Sequence, residues 1–149
     1  MENVTFKLGP FTFSKIPKSQ QVSLDEFDRN RFDQPVARVD RCQTCHLAIN
    51  RPGFEKEANP YKTHPRREVL LADNAHAPDR VGCTGCHEGQ GVAVNSAKQA
   101  HGEVHLWEFP LLRGNKAQSS CTSCHQDVQK FAEDAPLLAE GQRLFEQVG

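Results

Sequence analysis

Six cysteines, arranged as three Cys-x-x-Cys pairs with a histidine directly after each pair, constrain this chain more than any other feature. The cysteines are Cys42, Cys45, Cys83, Cys86, Cys121 and Cys124, and the histidines that follow the pairs are His46, His87 and His125. Every cysteine belongs to a pair. Because only 7 of the 149 residues are histidine, three chance placements after the pairs would be rare. The pattern therefore indicates one chemistry that uses two thiols and an imidazole at three places.

The spacing is that of c-type haem attachment. Two thiols add across the two vinyl groups of one haem, and the histidine that follows supplies the proximal iron ligand. The sequence thus predicts three covalently bound haems c, one on each motif. Other uses of cysteine pairs fit less well. A disulfide scaffold or a zinc ribbon does not require a histidine after every pair, and a thioredoxin-like motif predicts a single pair on a βαβ unit.

Each iron also has a sixth coordination position. Methionine is the usual ligand there in high-potential cytochromes, but the only methionine is Met1. Outside the motifs stand four histidines, and we expect three of them to be distal ligands: His64, His76, His101 and His105. His101 is the weakest candidate, whereas His105 precedes Trp107, whose indole could pack on a porphyrin. The sequence leaves open which histidine serves which haem.

The composition is poor in material for a side-chain core. Hydrophobic residues make up 37% of the chain, and the mean hydropathy is −0.64. A chain this polar needs disulfides, a metal or a cofactor to supplement burial, so we expect the haems themselves to form the core. The formal net charge of −1 gives no basic footprint for nucleic acid. No run of eighteen or more apolar residues is present to span a membrane.

The predicted fold is mainly α-helical with much irregular loop and a haem core. We expect an N-terminal arm and short helix over residues 1–35, a triheme domain over 36–132 and a terminal helix over 133–149. Alternating apolar and polar residues predict a short β-hairpin or an extended arm within residues 1–22. Loop is predicted over 50–65. A capping box at Ser23 and Glu26 predicts a helix that ends at Phe32. Further helices are predicted over 36–49, over 66–72 with Leu70 and Leu71 facing inward, and over 136–148. Two more are predicted with a cap at their start, one from Asn95 or Ser96 to Ala100 and one from Ser119 to Phe131.

The motifs and their surroundings resemble bacterial multihaem c-type cytochromes over roughly residues 38–130. The stretches that carry the likeness to a recurrent module of periplasmic respiratory cytochromes are 63–65, 82–91 and 100–107. Small triheme cytochromes of the c7 type are much shorter, so their fold is not carried over. Residues 140–149 resemble the first helix of a class I cytochrome c, in which a Gly-x-x-x-Phe-x-x-x-Gly helix leads into a further motif. An ordinary amphipathic terminal helix is the alternative.

These observations predict where the chain works and with what. Haem c is attached outside the cytoplasmic membrane, so we expect a periplasmic or otherwise exported protein, although residues 1–10 contain no signal-peptide core. Together with the class I likeness, this suggests a piece of a longer cytochrome with at least a fourth haem. Redox proteins, or further haem domains of the same parent chain, are the expected partners.

Bis-histidine ligation closes every iron and lowers its potential, which favours electron transfer in a respiratory chain over catalysis. A catalytic multihaem reductase with one open haem is the alternative. Such enzymes often use a Cys-x-x-Cys-Lys motif, which does not occur in this sequence. A zinc-binding interaction module is a third reading, and it predicts a colourless protein.

Overall fold

A hairpin lies at the N-terminal end of the chain. The computed structural model describes residues 4–8, 11–15 and 19–148. Strand β1 (Val4–Leu8) pairs antiparallel with β2 (Phe11–Lys15), with Val4 opposite Lys15 and Leu8 opposite Phe11. An antiparallel pair of strands therefore stands where the alternating sequence predicted a hairpin or an arm. The predicted turn at Gly9 and Pro10 lies outside the described residues.

A second hairpin leads directly into the first motif. Strand β3 (Val22–Arg29) pairs antiparallel with β4 (Pro35–Asp40), with Val22 opposite Asp40 and a register shift between Leu24 and Asp28. The side chain of Leu24 is buried. Because β4 ends two residues before Cys42, this hairpin fixes where the first motif begins.

Two helix predictions are wrong in this hairpin. The helix expected from Ser23 to Phe32 is strand β3 followed by a turn, and the first part of the helix expected over 36–49 is strand β4. Ser23 and Glu26 form a capping-box pattern, but both lie inside β3. Ser23 is paired with Val39 of β4, and a local pattern carries no information about such a partner.

The remaining elements are short, apart from one 3-10 helix of ten residues and the last α-helix. The α-helices are α1 (Pro78–Val81), α2 (Thr84–His87), α3 (Ala97–Ala100) and α4 (Pro136–Val148). The 3-10 helices are Cys42–Thr44, Arg67–Leu70, Gly114–Ser123 and Val128–Phe131. The Ser96 hydroxyl caps α3 by accepting a hydrogen bond from the Gln99 amide at 3.2 Å, as predicted. The helix predicted over 136–148 is α4, and residues 50–65 are loop as expected.

Two further predictions are corrected by these bounds. Ser119 does not cap a helix that runs to Phe131, because it lies within one 3-10 helix and a separate one follows. The segment expected to be helical over 66–72 is a single 3-10 turn, and Leu71 is exposed rather than inward.

The buried hydrophobic side chains are few and small. In the described part of the chain they are Leu24, Ala48, Ala77, Val128, Ala135 and Ala139. Four of these six are alanine, so side chains alone bury little apolar volume. The haem core and the three-part division of the chain stay predictions, although the second hairpin pairs residues on both sides of position 35. Within the described ranges, no helix is long and apolar enough to cross a membrane.

Candidate functional site

All three motifs share one local geometry. The histidine amide donates a hydrogen bond to the carbonyl of the first cysteine, at 3.1 Å for His46 and at 2.9 Å for His87 and His125. This bond closes one helical turn, and residues four apart on such a turn are neighbours. Each motif therefore places its first cysteine and its histidine side by side, as attachment to a single planar group requires.

Each motif histidine faces a different histidine from outside the motifs. The ring centroids lie 6.4 Å apart for His46 and His101, 6.0 Å for His87 and His64, and 5.9 Å for His125 and His76. A metal ion between two imidazoles holds their centroids about 6 Å apart, because each metal–nitrogen bond is about 2 Å long and each nitrogen lies about 1 Å from the centre of its ring. All three separations fit an iron between the rings.

The fourth candidate, His105, is placed differently. It takes part in none of the ring pairs among the described residues, although it is exposed, as the paired His76 and His125 also are. Trp107, which was expected to pack on a porphyrin, donates its indole N–H to the Phe109 carbonyl at 2.8 Å. Its ring also covers Gly102, where a Cβ would approach the indole to 2.6 Å and φ is +69°. Trp107 thus packs on the turn that follows His101.

Hydrogen bonds orient two of the paired rings. Nδ1 of His87 lies 2.9 Å from the Leu112 carbonyl, and Nδ1 of His64 lies 3.1 Å from the Arg66 amide. At His87 the carbonyl accepts the Nδ1 proton, so Nε2 is the nitrogen that remains for a metal. At His64 the amide donates to Nδ1, so the proton of the neutral ring is on Nε2, and metal binding through Nε2 would break this hydrogen bond. Nδ1 of His46 is buried and meets no hydrogen-bond partner in the described part of the chain. A buried polar atom without a partner is costly, so this ring suits a site that a further group completes.

Burial keeps three of the rings neutral. It lowers the pKa of His46, His64 and His101 below the usual value for histidine. For His46 the neighbouring His101 and His87 lower the pKa further, and for His101 the neighbouring Arg113 does. Neutral imidazole is the form that binds a metal, so the folded chain favours the ligating state before any metal is bound.

The cysteines show which motifs are neighbours. A hydrogen bond to the Cys83 thiol, together with burial and the nearby Asp40, raises the pKa of Cys42. Burial raises the pKa of Cys86, and Cys121 adds to the effect. The Cys42 and Cys83 sulfurs lie within 4.8 Å of each other, so the first and second motifs are direct neighbours.

A serine hydroxyl also links the second and third motifs. Ser120, directly before Cys121, donates to the Cys86 carbonyl at 2.5 Å. This bond joins the 3-10 helix that carries the third motif to α2, which carries the second. The second motif thus has a direct contact with the third as well as with the first.

Asp40 is a site residue that lies outside the Cys-x-x-Cys-His motifs and was not predicted from the sequence. Its carboxyl group is 3% exposed, and one of its oxygens lies with the Cys42 and Cys83 sulfurs inside a 4.8 Å cluster. Both sulfurs belong to Cys-x-x-Cys-His motifs, where the sequence predicts that they attach haem, so we do not assign the cluster to a separate metal. The only sequence signal is an aspartate two residues before Cys42, since aspartate side chains often bind the amide two positions on. The partners of its second oxygen lie 43 and 44 residues away.

The donor set at each motif fits a c-type haem. Both cysteines of each motif are free and could bond to the vinyl groups, and the two histidines of each ring pair could bind an iron between them. A family model described as outer membrane cytochrome MtrC/MtrF-like, domains II/IV, matches residues 15–135, which is more than half of the chain. No curated protein and no solved structure matches.

Proposed function

Since the chain belongs to the family of MtrC/MtrF-like outer membrane cytochromes, in the part that covers their domains II/IV, we propose that it transfers single electrons through three haems c. The family consists of multihaem c-type cytochromes that transfer electrons in extracellular respiration. We infer the number of haems, their ligands and the route of the electrons from the residues of this chain.

The three histidine pairs carry the proposal. We assign His46 and His101 to the haem of the first motif, His87 and His64 to that of the second, and His125 and His76 to that of the third. The support is that each motif histidine has its own partner at the separation that an iron requires. His105 is left outside the ligand set.

The thin side-chain core supports the same proposal. The described residues bury mainly alanines, which provide little apolar area to offset the entropy of folding. Three haems packed between the motifs would supply the missing apolar surface. The fold proposed here is therefore a set of short helices, turns and hairpins wrapped around haem.

Closed coordination favours electron transfer over catalysis. When bound, haem supplies the ferric–ferrous couple, and a histidine on each face leaves no position for a substrate. Two nitrogen donors also give a lower potential than histidine with methionine. The paired rings thus suit a low-potential electron carrier rather than a reductase with an open haem.

The route follows the order of the motifs in the chain. The second motif adjoins the first where the Cys42 and Cys83 sulfurs lie within 4.8 Å, and it is hydrogen-bonded to Ser120, the residue before the third motif. We therefore place the haem of the second motif between the other two. Electrons enter at one outer haem and leave at the other.

The partners are redox proteins or further haem domains. Members of the family are exported and associated with the outer membrane. We accordingly place this cytochrome outside the cytoplasmic membrane, where haem c is attached, and within a respiratory chain that delivers electrons outward.

Intact mass and optical spectra of the purified protein test the proposal. We expect a mass that includes three haems and a reduced spectrum of low-spin, six-coordinate haem, with no carbon monoxide binding to the reduced form. A colourless protein that contains zinc would overturn it. High-spin iron that binds carbon monoxide without ligand displacement would favour a reductase with an open haem.

A further inference from the structure

A buried carboxylate joins the first two motifs. Asp40 ends β4 and is 3% exposed. Its Oδ1 accepts a hydrogen bond from the Cys42 amide at 3.0 Å. Its Oδ2 accepts from the Cys83 amide at 2.7 Å and from the Thr84 amide at 2.8 Å. One side chain therefore holds the first cysteine of both motifs by the backbone.

The chain is built closely around this carboxylate. Gly82 has φ +64°, and a Cβ there would lie 2.9 Å from Oδ2 of Asp40. A Cβ on Gly91 would lie 3.3 Å from the Cα of Asp40 and 2.6 Å from the Val39 carbonyl. The Arg41 amide also donates to the Gly91 carbonyl at 2.9 Å. Two glycines thus allow the second motif and the segment after it to approach Asp40 from both sides.

The partners of Asp40 are neutral amides. A carboxylate only accepts hydrogen bonds, so three amide donors suit its ionised form. None of the salt bridges found among the described residues includes Asp40. Its negative charge therefore stands beside the first cysteines of two motifs and, within the described part of the chain, forms no ion pair.

We propose that Asp40 is a positioning residue that sets the placement of the first two haems relative to each other and lowers the potentials of both. The proposal rests on the three-haem function proposed above. Reduction adds negative charge to a haem, and a nearby carboxylate opposes that charge. The Coulomb energy falls with distance, so the haems attached beside Asp40 experience it more than the haem of the third motif.

Redox titration of Asp40→Asn tests the inference. We expect the ratio of reduced to oxidised haem, at a fixed applied potential, to rise about tenfold for two haems, which is about 59 mV for one electron. The third haem should keep its potential. The third haem is identified by repeating the titration in a His76→Met background, because a methionine ligand there raises the potential of that haem and of no other. Asp25→Asn is the matched control, since Asp25 is an exposed aspartate on β3 of the same hairpin.

The unchanged protein separates this inference from the proposed function. If it does not carry three haems, the proposed function fails before any variant is made. If it does, an Asp40→Asn protein whose three potentials all stay, or all move equally, overturns the inference, and so does an equal effect of Asp25→Asn.

An Asp40→Asn protein that carries fewer than three haems also tests the inference. Peptide mass mapping of Asp40→Asn then shows which motifs carry haem. Loss confined to the first two motifs supports the positioning role. Loss that is equal at the third motif overturns it.

Discussion

The paired histidine rings are the residues from which we propose the ligation of the haem irons. His101 lies opposite His46, while His105, four residues further on, is exposed and unpaired among the described rings. The sequence favoured His105 over His101 because a tryptophan lies close to His105 along the chain. The turn against which that tryptophan packs could not be read from the sequence. The ring pairs bring together residues separated by up to 55 positions, which no local pattern specifies.

Replacing these two histidines separates ligand from bystander. We expect His101→Ala to leave one haem without its sixth ligand, so that about one third of the iron becomes high-spin and binds carbon monoxide when reduced. His105→Ala, the matched control, should keep all the iron low-spin. Electron paramagnetic resonance and a carbon monoxide titration measure both variants. A high-spin signal in His105→Ala, with none in His101→Ala, would reverse the assignment.

At the scale of elements, the second hairpin is what attaches the N-terminal part of the chain to the motifs. Arg38 on β4 forms a two-pronged ion pair with Asp28 on β3, at 2.8 and 2.7 Å. It also donates to the Thr84 carbonyl at 3.2 Å and lies 4.7 Å from the centroid of the Phe27 ring. One half-buried side chain thus ties both strands to α2.

Removing this guanidinium should therefore cost stability. We expect Arg38→Ala to lower the free energy of unfolding by about 2 kcal/mol, because it leaves Asp28 without its partner and loosens the hairpin from the second motif. Arg29→Ala is the control, since its pair with Asp33 is exposed, and it should cost less than about 0.5 kcal/mol. Guanidinium unfolding followed at the Soret band measures both. Equal losses would show that Arg38 acts only as a surface charge.

The second hairpin also shows which parts of the fold local sequence patterns do not predict. The helix cap at Ser96 and the start of α4 at Pro136 were predicted correctly, because capping and a proline at the first turn are local. The capping-box pattern at Ser23 was equally local, yet it lies in a strand whose partner is β4. Short elements such as β3 are held by partners that are distant in sequence, so their type follows the tertiary contacts more than the propensity.

At the scale of the whole molecule, the order of the motifs in space is the property that matters for electron flow. Three contacts support the proposed order: the closeness of the Cys42 and Cys83 sulfurs, the hydrogen bonds of Asp40 to both motifs, and the Ser120 bond to the Cys86 carbonyl. The sequence supplied three attachment points of nearly equal spacing but no arrangement. The structure adds that the second motif touches both of the others.

This order predicts how the three haems influence one another's reduction. Adding an electron to one haem makes its neighbours harder to reduce, and the repulsion falls inversely with distance. If the haem of the second motif is central, its interactions with the first and third haems are the two largest. In an extended row, the interaction between the outer haems is about half of either, and less where solvent ions screen it.

Nuclear magnetic resonance of haem methyl groups during a stepwise redox titration resolves these three interactions. The His76→Met variant identifies the third haem by its raised potential, and His64→Met does the same for the second. Two large interactions that share the second haem would agree with the proposed route. A largest interaction between the first and third haems would instead require direct contact between those two, and electrons would then pass between the outer motifs without crossing the second.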